Sequence, residues 1–216
     1  MVFSRDLRMA ITQDQIIVTI DSCIRLSVKN ERTLNDERAT FESSLDGKIP
    51  ATLASFDDDV HPPEVIDEYW DLYTFFPSIH RRSEVINAYS ILEHGLRSLC
   101  DVYERKSVSN IKLNDLAAHG YVDKSKKYLE KVINIEFPVS GPWEDIKYIQ
   151  QLRNKLVHED GVINTNNKEL FNYIGNHSML ELDNSNRLII LAGYTEECYS
   201  VIRHFFFNLF SSLPKI

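Results

Sequence analysis

Six large apolar residues, Ile86, Tyr89, Leu92, Leu96, Leu99 and Tyr103, recur at steps of three and four. On a helix that spacing gathers them on one side; on a strand it would scatter them over both faces. It predicts a long amphipathic helix over 80–106. Glu93 and His94 lie beside the stripe and read as a satisfied polar pair at the core margin. Seven Gly and seven Pro in 216 residues are few, which favours helices over a turn-rich β fold. A chain of this length is one domain, or one domain with an N-terminal extension, and can bury a sizeable core.

The flanking segments follow from the same rules. His61-Pro62-Pro63 opens a helix with Val65, Ile66, Tyr69, Leu72, Tyr73 and Phe76 on its apolar side, and Pro77 is expected to end it. A shorter helix is expected over 122–133. Ser140-Gly141-Pro142-Trp143 announces another, carrying Trp143, Ile146, Ile149, Leu152 and Leu156 and ending near Gly161. The segments 179–182 and 188–191 flank Asp183-Asn184-Ser185-Asn186-Arg187 and read as a small hairpin. A Phe-rich helix over 195–213 closes the chain. The first 60 residues are harder to read. Ile17, Ile20, Ile24 and Val28 fit a helical stripe, yet Ile20, Ile24, Leu26 and Val28 also suit a strand; helix is preferred. Leu34, Phe41 and Leu45 extend a second helix, stopped near Gly47 and Pro50. The expected fold is all-α with a small β-hairpin before the C-terminal helix. Residues 1–60 would be a helical extension packed on a domain of residues 61–216.

Charge narrows the function classes. The net charge of −8 argues against bulk, sequence-blind DNA binding. It is unevenly spread: residues 45–71 hold eight acids against Lys48, and residues 105–131 hold seven bases against three acids. Two solvated faces are the simple reading. The functional reading is a basic strip, including Lys124, Lys126 and Lys127, that meets a phosphate backbone. Cys23, Cys100 and Cys198 are far apart and odd in number, with no CxxC pair, so a disulfide framework or zinc ribbon is not expected. The start, MVFSRDLRMA, lacks an apolar signal core, and no apolar run of about 18 residues occurs. A soluble, cytoplasmic protein without membrane contact is expected.

One stretch suggests a definite chemistry. Arg153-Asn154-Lys155-Leu156-Val157-His158 puts an arginine, an amide and a histidine at the end of an amphipathic helix. Asn154 and His158 are i, i+4 neighbours on one face, and Arg153 lies between that face and the apolar stripe. Arginine offers a rigid fork for phosphate oxygens. Histidine moves protons near neutral pH. Asparagine can hold the imidazole or a substrate oxygen. Such a set suits transesterification of RNA without metal or cofactor. Histidine would assist attack of the 2′-hydroxyl or protonate the leaving 5′-oxygen, and arginine would stabilise charge growing on phosphorus. One histidine is a poor match for two proton transfers, whereas a symmetric dimer supplies two. On spacing alone, a charged helix end is the commoner explanation of such a pattern.

The stretch Leu152-Arg153-Asn154-Lys155-Leu156-Val157-His158 resembles the Arg-x4–6-His signature of the HEPN superfamily, in which a polar residue, often Asn, commonly follows the arginine. The context is similar too: a Trp-initiated helix carries the motif at its C-terminal end, a Gly follows, and a long helix precedes it. The likeness covers roughly residues 62–213 and leaves residues 1–60 unmatched. It implies an all-helical, dimeric protein, and a metal-independent endoribonuclease of a toxin–antitoxin, abortive-infection or other antiviral defence system. It also implies catalytic roles for Arg153 and His158 and a supporting one for Asn154. The 143–160 helices of two subunits would lie near one another, Lys124, Lys126, Lys127 and Lys155 would be the RNA-binding lysines, and an antitoxin or other regulatory protein would be the partner. Family toxins paired with nucleotidyltransferase antitoxins often carry a modified tyrosine two residues after the histidine. Asp160 stands there in this chain, so that mode of control is not expected. The acidic pair Glu159-Asp160 would either raise the pKa of His158 or repel RNA. The competing expectation is a non-catalytic HEPN-like module that binds a protein or nucleotide through the same groove. A metal-dependent hydrolase built on His61, Asp57–Asp59 or His177 has no supporting ligand spacing.

Overall fold

In the computed structural model, which describes residues 3–45, 63–106 and 109–214, helix α1 runs unbroken over Phe3–Ser44. At 1.5 Å per residue its 42 residues reach about 63 Å. This replaces the two shorter elements expected over 17–28 and 34–45, and the strand alternative with them. No Gly or Pro occurs between Phe3 and Ser44, so nothing interrupts the backbone. The buried positions Met9, Ile16, Ile20, Ser27, Glu31, Leu34 and Phe41 recur at steps of three, four and seven, which is one continuous face. Ser27 and Glu31 break the apolar pattern without breaking that face, because each is satisfied across it. The Ser27 hydroxyl lies 2.8 Å from that of Thr195 and 3.0 Å from the Glu196 carboxylate. Glu31 accepts from Arg81 Nε at 2.6 Å and Nη2 at 2.8 Å, and Arg81 Nη1 donates to the Ile190 carbonyl at 3.1 Å. Burial works to raise the Glu31 carboxyl, and the hydrogen bonds and charge of Arg81 outweigh it, leaving it below the usual carboxylate range.

Pro77 does not end a helix either. Helix α2 (Pro63–Trp70), a π-helical turn (Asp71–Phe75) and helix α3 (Phe76–Arg105) follow one another without a break. In the π turn the Phe76 N–H reaches back five residues to the Asp71 carbonyl. Continuing that register pairs residue 77 with the Leu72 carbonyl, and proline has no N–H to give. Arg38 of α1 fills the gap, donating Nε to the Leu72 carbonyl at 2.9 Å. The expected stop at Gly47 and Pro50, the Asp57–Asp59 run and His61 lie outside the described residues.

Helix α3 packs against α1, α4 (Gly120–Lys131), α5 (Pro142–His158) and α7 (Tyr194–Ser212). Its Val85, Ala88, Leu92, Leu96, Leu99 and Tyr103 are buried in the main core. From α7 come Tyr199, Ile202, Phe205 and Phe206; Phe137, Trp143 and Phe205 stack in one ring cluster with centroids 5.0–5.5 Å apart. Glu93 and His94 do not pair: they project from successive positions of α3, and His94 lines a groove against Thr12, Gln15 and Thr19 of α1. The hairpin is present as β1 (Leu180–Leu182) and β2 (Leu188–Ile190), antiparallel with Glu181 opposite Ile189. The short helix α6 (Lys168–Asn176) was not anticipated; Asn167 caps it by accepting from the Leu170 N–H at 3.3 Å, and Leu170 and Ile174 are buried. The fold is thus all-α with a small antiparallel hairpin before the C-terminal helix. Among the described residues no helix is long and apolar enough to cross a membrane.

Two stability measurements follow. A Cβ at Gly95 would meet Phe206 Cζ at 2.5 Å inside the core. Gly95→Ala is therefore expected to cost about 2 kcal/mol in urea unfolding, and a second change, Phe206→Leu, to return part of it. Glu31→Ala strands the buried Arg81 guanidinium and is expected to cost about 3 kcal/mol in the same assay. In the wild type this pair's contribution is held above the ordinary glutamate value of 4.5 and lost as the pH falls through the lower folded value.

Candidate active site at the end of the fifth helix

Helix α5 opens on Gly141, whose φ of +61° suits glycine, followed by Pro142 in the first turn. Trp143, Ile146, Ile149, Leu152 and Leu156 bury one side of it. It ends with two hydrogen bonds to one carbonyl: the Glu159 and Gly161 N–H groups both donate to the Lys155 carbonyl, at 3.0 and 2.9 Å. Asp160 (φ +49°) and Gly161 (φ +79°) are both left-handed, which turns the chain sharply away from the helix axis.

Three residues sit at this end as the helical spacing requires. Asn154 and His158 are exposed on one face. Arg153 is half-buried, its guanidinium 5.8 Å from the centroid of the Tyr89 ring, a cation–π distance. Its Nη1 donates to Asn154 Oδ1 at 3.1 Å, while Nε is buried without a partner. Asn154 is therefore the contact through which Arg153 turns toward the exposed face. Burial, then Glu93 and Asp123, push the Tyr89 hydroxyl far above its ordinary range, so it stays neutral beneath the guanidinium.

Of the four lysines, only Lys155 shares the last turn of α5 with His158. Lys155 donates to both oxygens of Glu159 at 2.7 Å and is spent within its own helix. Lys126 lies 5.5 Å from the Trp143 ring and 5.6 Å from that of Phe137. Trp143 is at the far end of α5, about 22 Å along the axis from His158. Lys127 donates to the Ala117 carbonyl at 3.2 Å, and Lys124 sits 6.0 Å from the Tyr121 ring. The acidic side chains Glu64, Asp67, Glu68 and Asp71 face Asp36 and Glu37 of α1 across a separate groove of about 940 Å³. His177 is committed elsewhere: its Nδ1 accepts from the Met179 N–H at 3.2 Å, so Nε2 carries the proton shared with Glu197 at 3.1 Å.

Two arginines escaped the sequence analysis. Arg82 of α3 donates Nη2 to Asp160 Oδ1 at 2.7 Å, and Arg187, just before β2, donates Nη1 to Oδ2 at 2.5 Å. The hydrogen bond from Arg82 and the charge of Arg187 hold the Asp160 carboxyl below the usual carboxylate range. No local signal could have found them, because they lie 78 and 27 residues from Asp160. Comparison of the chain with protein-family models, with curated proteins and with solved structures finds no significant match.

A Cβ at Gly161 would combine a left-handed backbone with contacts of 3.3 Å to Arg82 Nη2 and 3.4 Å to Leu156 Cδ2. Gly161→Ala should lower stability by about 1–2 kcal/mol in urea unfolding; an unchanged midpoint would contradict the left-handed helix end.

Proposed function

We propose that the chain is a metal-independent endoribonuclease of a toxin–antitoxin or anti-phage defence system, working at a site shared by two subunits. The observation that carries this reading is the joint placement of Arg153, Asn154 and His158 at one helix end, with the histidine and the amide open to solvent. Resemblance of this stretch to the HEPN signature supports the same assignment.

In the proposed reaction the 2′-oxygen of a ribose attacks the adjacent phosphorus, the bond to the 5′-oxygen breaks, and a 2′,3′-cyclic phosphate is left. One His158 takes the 2′-hydroxyl proton and a second protonates the departing 5′-oxygen. Arg153 guanidinium donors face the charge that builds on the phosphorane oxygens. A second copy supplies the second imidazole. Val157, Val162 and Ile189, exposed at 44, 38 and 39%, leave apolar surface beside this helix end for such a copy. The alternative reading is a non-catalytic module for a protein or nucleotide. It is favoured by the internal engagement of Arg153 with Tyr89 and Asn154, and of Lys155 with Glu159.

Incubation of the purified protein with total RNA, with end-group analysis of the products, separates the two readings. The wild type should leave cyclic-phosphate ends at a rate unaffected by EDTA. His158→Ala and Arg153→Ala should each slow cleavage by about a hundredfold or more. RNA left intact by a dimeric wild-type preparation would favour the binding module instead.

A further inference from the structure

Two contacts tie α5 to α3 on either side of His158. Arg153 lies over the Tyr89 ring, and seven residues later Asp160 takes the Arg82 guanidinium. Tyr89 and Arg82 are also seven residues apart, in the opposite order, so the two helices run antiparallel with a matched two-turn spacing. Arg187 binds the second Asp160 oxygen from the hairpin side. The same loop is stitched to the hairpin through its backbone, the Leu188 N–H donating to the Gly161 carbonyl at 2.9 Å and Val162 bridging to Arg187.

We propose that Asp160, held by Arg82 and Arg187, is the positioning residue of the Arg153–His158 site. This rests on the ribonuclease reading for its catalytic consequence. The side chains involved are 62, 22 and 44% exposed, and ion pairs so open to solvent add little to stability. Their geometric effect is larger. Asp160 holds a left-handed backbone that most side chains resist, and both its oxygens are fixed from different elements. The last turn of α5 is thereby referenced to α3 at both ends of the motif: Tyr89 lies under Arg153, and Arg82 through Asp160 fixes the turn that follows His158. The carboxylate also neutralises one of the two guanidiniums that meet at this helix end.

The test is Asp160→Asn, which keeps the shape and the tolerance of left-handed backbone while removing the charge; Arg187→Gln serves as a second variant. Amide hydrogen exchange at the end of α5 is followed by NMR, and RNA cleavage is followed for kcat and KM. In Asp160→Asn and in Arg187→Gln, exchange of the Gly161 N–H, which donates to the Lys155 carbonyl at 2.9 Å, should speed up about tenfold while core amides keep their rates. The kcat should fall about tenfold or more at an equal or lower KM. A global loss of stability would speed exchange in the core as well. An unchanged Gly161 exchange rate, or a wild-type kcat in Asp160→Asn, overturns the proposal. Wild-type protein that leaves RNA intact refutes the ribonuclease reading instead, and the exchange rates still decide the positioning role.

Discussion

Arg81 brings a positive charge into the middle of a helical bundle, and the arrangement around it depends on that charge being met. Its fork is filled by Glu31 of α1 and by the Ile190 carbonyl of β2, so three elements distant in sequence converge on one side chain. Such a pair adds little net stability over a well-packed apolar core. Its larger effect is on register: α1 has one rotation and one height at which Glu31 reaches Arg81. At that setting Ser27 meets Thr195 and Glu196, and Arg38 meets the carbonyl that Pro77 leaves open. A long, weakly amphipathic helix is thus aligned by polar contacts at defined heights, with Met9, Ile16 and Ile20 filling the core on their N-terminal side.

Arg82, the next residue, does for the candidate site what Arg81 does for the bundle. Successive positions on a helix point about 100° apart, so one arginine faces α1 and the other faces the end of α5. Both also reach the hairpin, Arg81 through Ile190 and Arg82 through Asp160 and Arg187. The hairpin is too small to matter as a sheet. It serves as a strut between the buried charge and the exposed helix end.

Electrostatics divides the surface unevenly. The carboxylates of α2 and the π turn gather with those of α1 around a groove of their own. The bases of α4 are partly consumed by local contacts with aromatic rings and a backbone carbonyl. At the end of α5, where Lys155 is spent on Glu159, positive charge comes instead from Arg153, Arg82 and Arg187, two of them shared with one carboxylate. An acidic chain can in this way present a small cationic site without a basic face.

The stripe of α3, the Trp143-to-Leu156 face of α5 and the hairpin around 183–187 were all legible in the sequence, because each is a local periodicity or turn signal. So was the grouping of Arg153, Asn154 and His158, which helical spacing alone puts at one end of α5. Four things were not. Helix α6 is only nine residues long, with Leu170 and Ile174 alone marking its buried side. The unity of α1 was hidden because Ser27 and Glu31 are polar yet buried, and only their partners on α7 and α3 make that tolerable. The passage through Pro77 was hidden because the missing hydrogen bond is replaced by Arg38, 34 residues away from Leu72. The Arg82–Asp160–Arg187 contact was hidden because charge pairing between distant positions has no period. The sequence by itself determined the helical character of most segments, α6 excepted, and which residues share a face, since those follow from backbone geometry. Only the tertiary structure decided where the helices run on and which charges meet, since a buried or left-over polar group is acceptable only when something from elsewhere in the chain satisfies it.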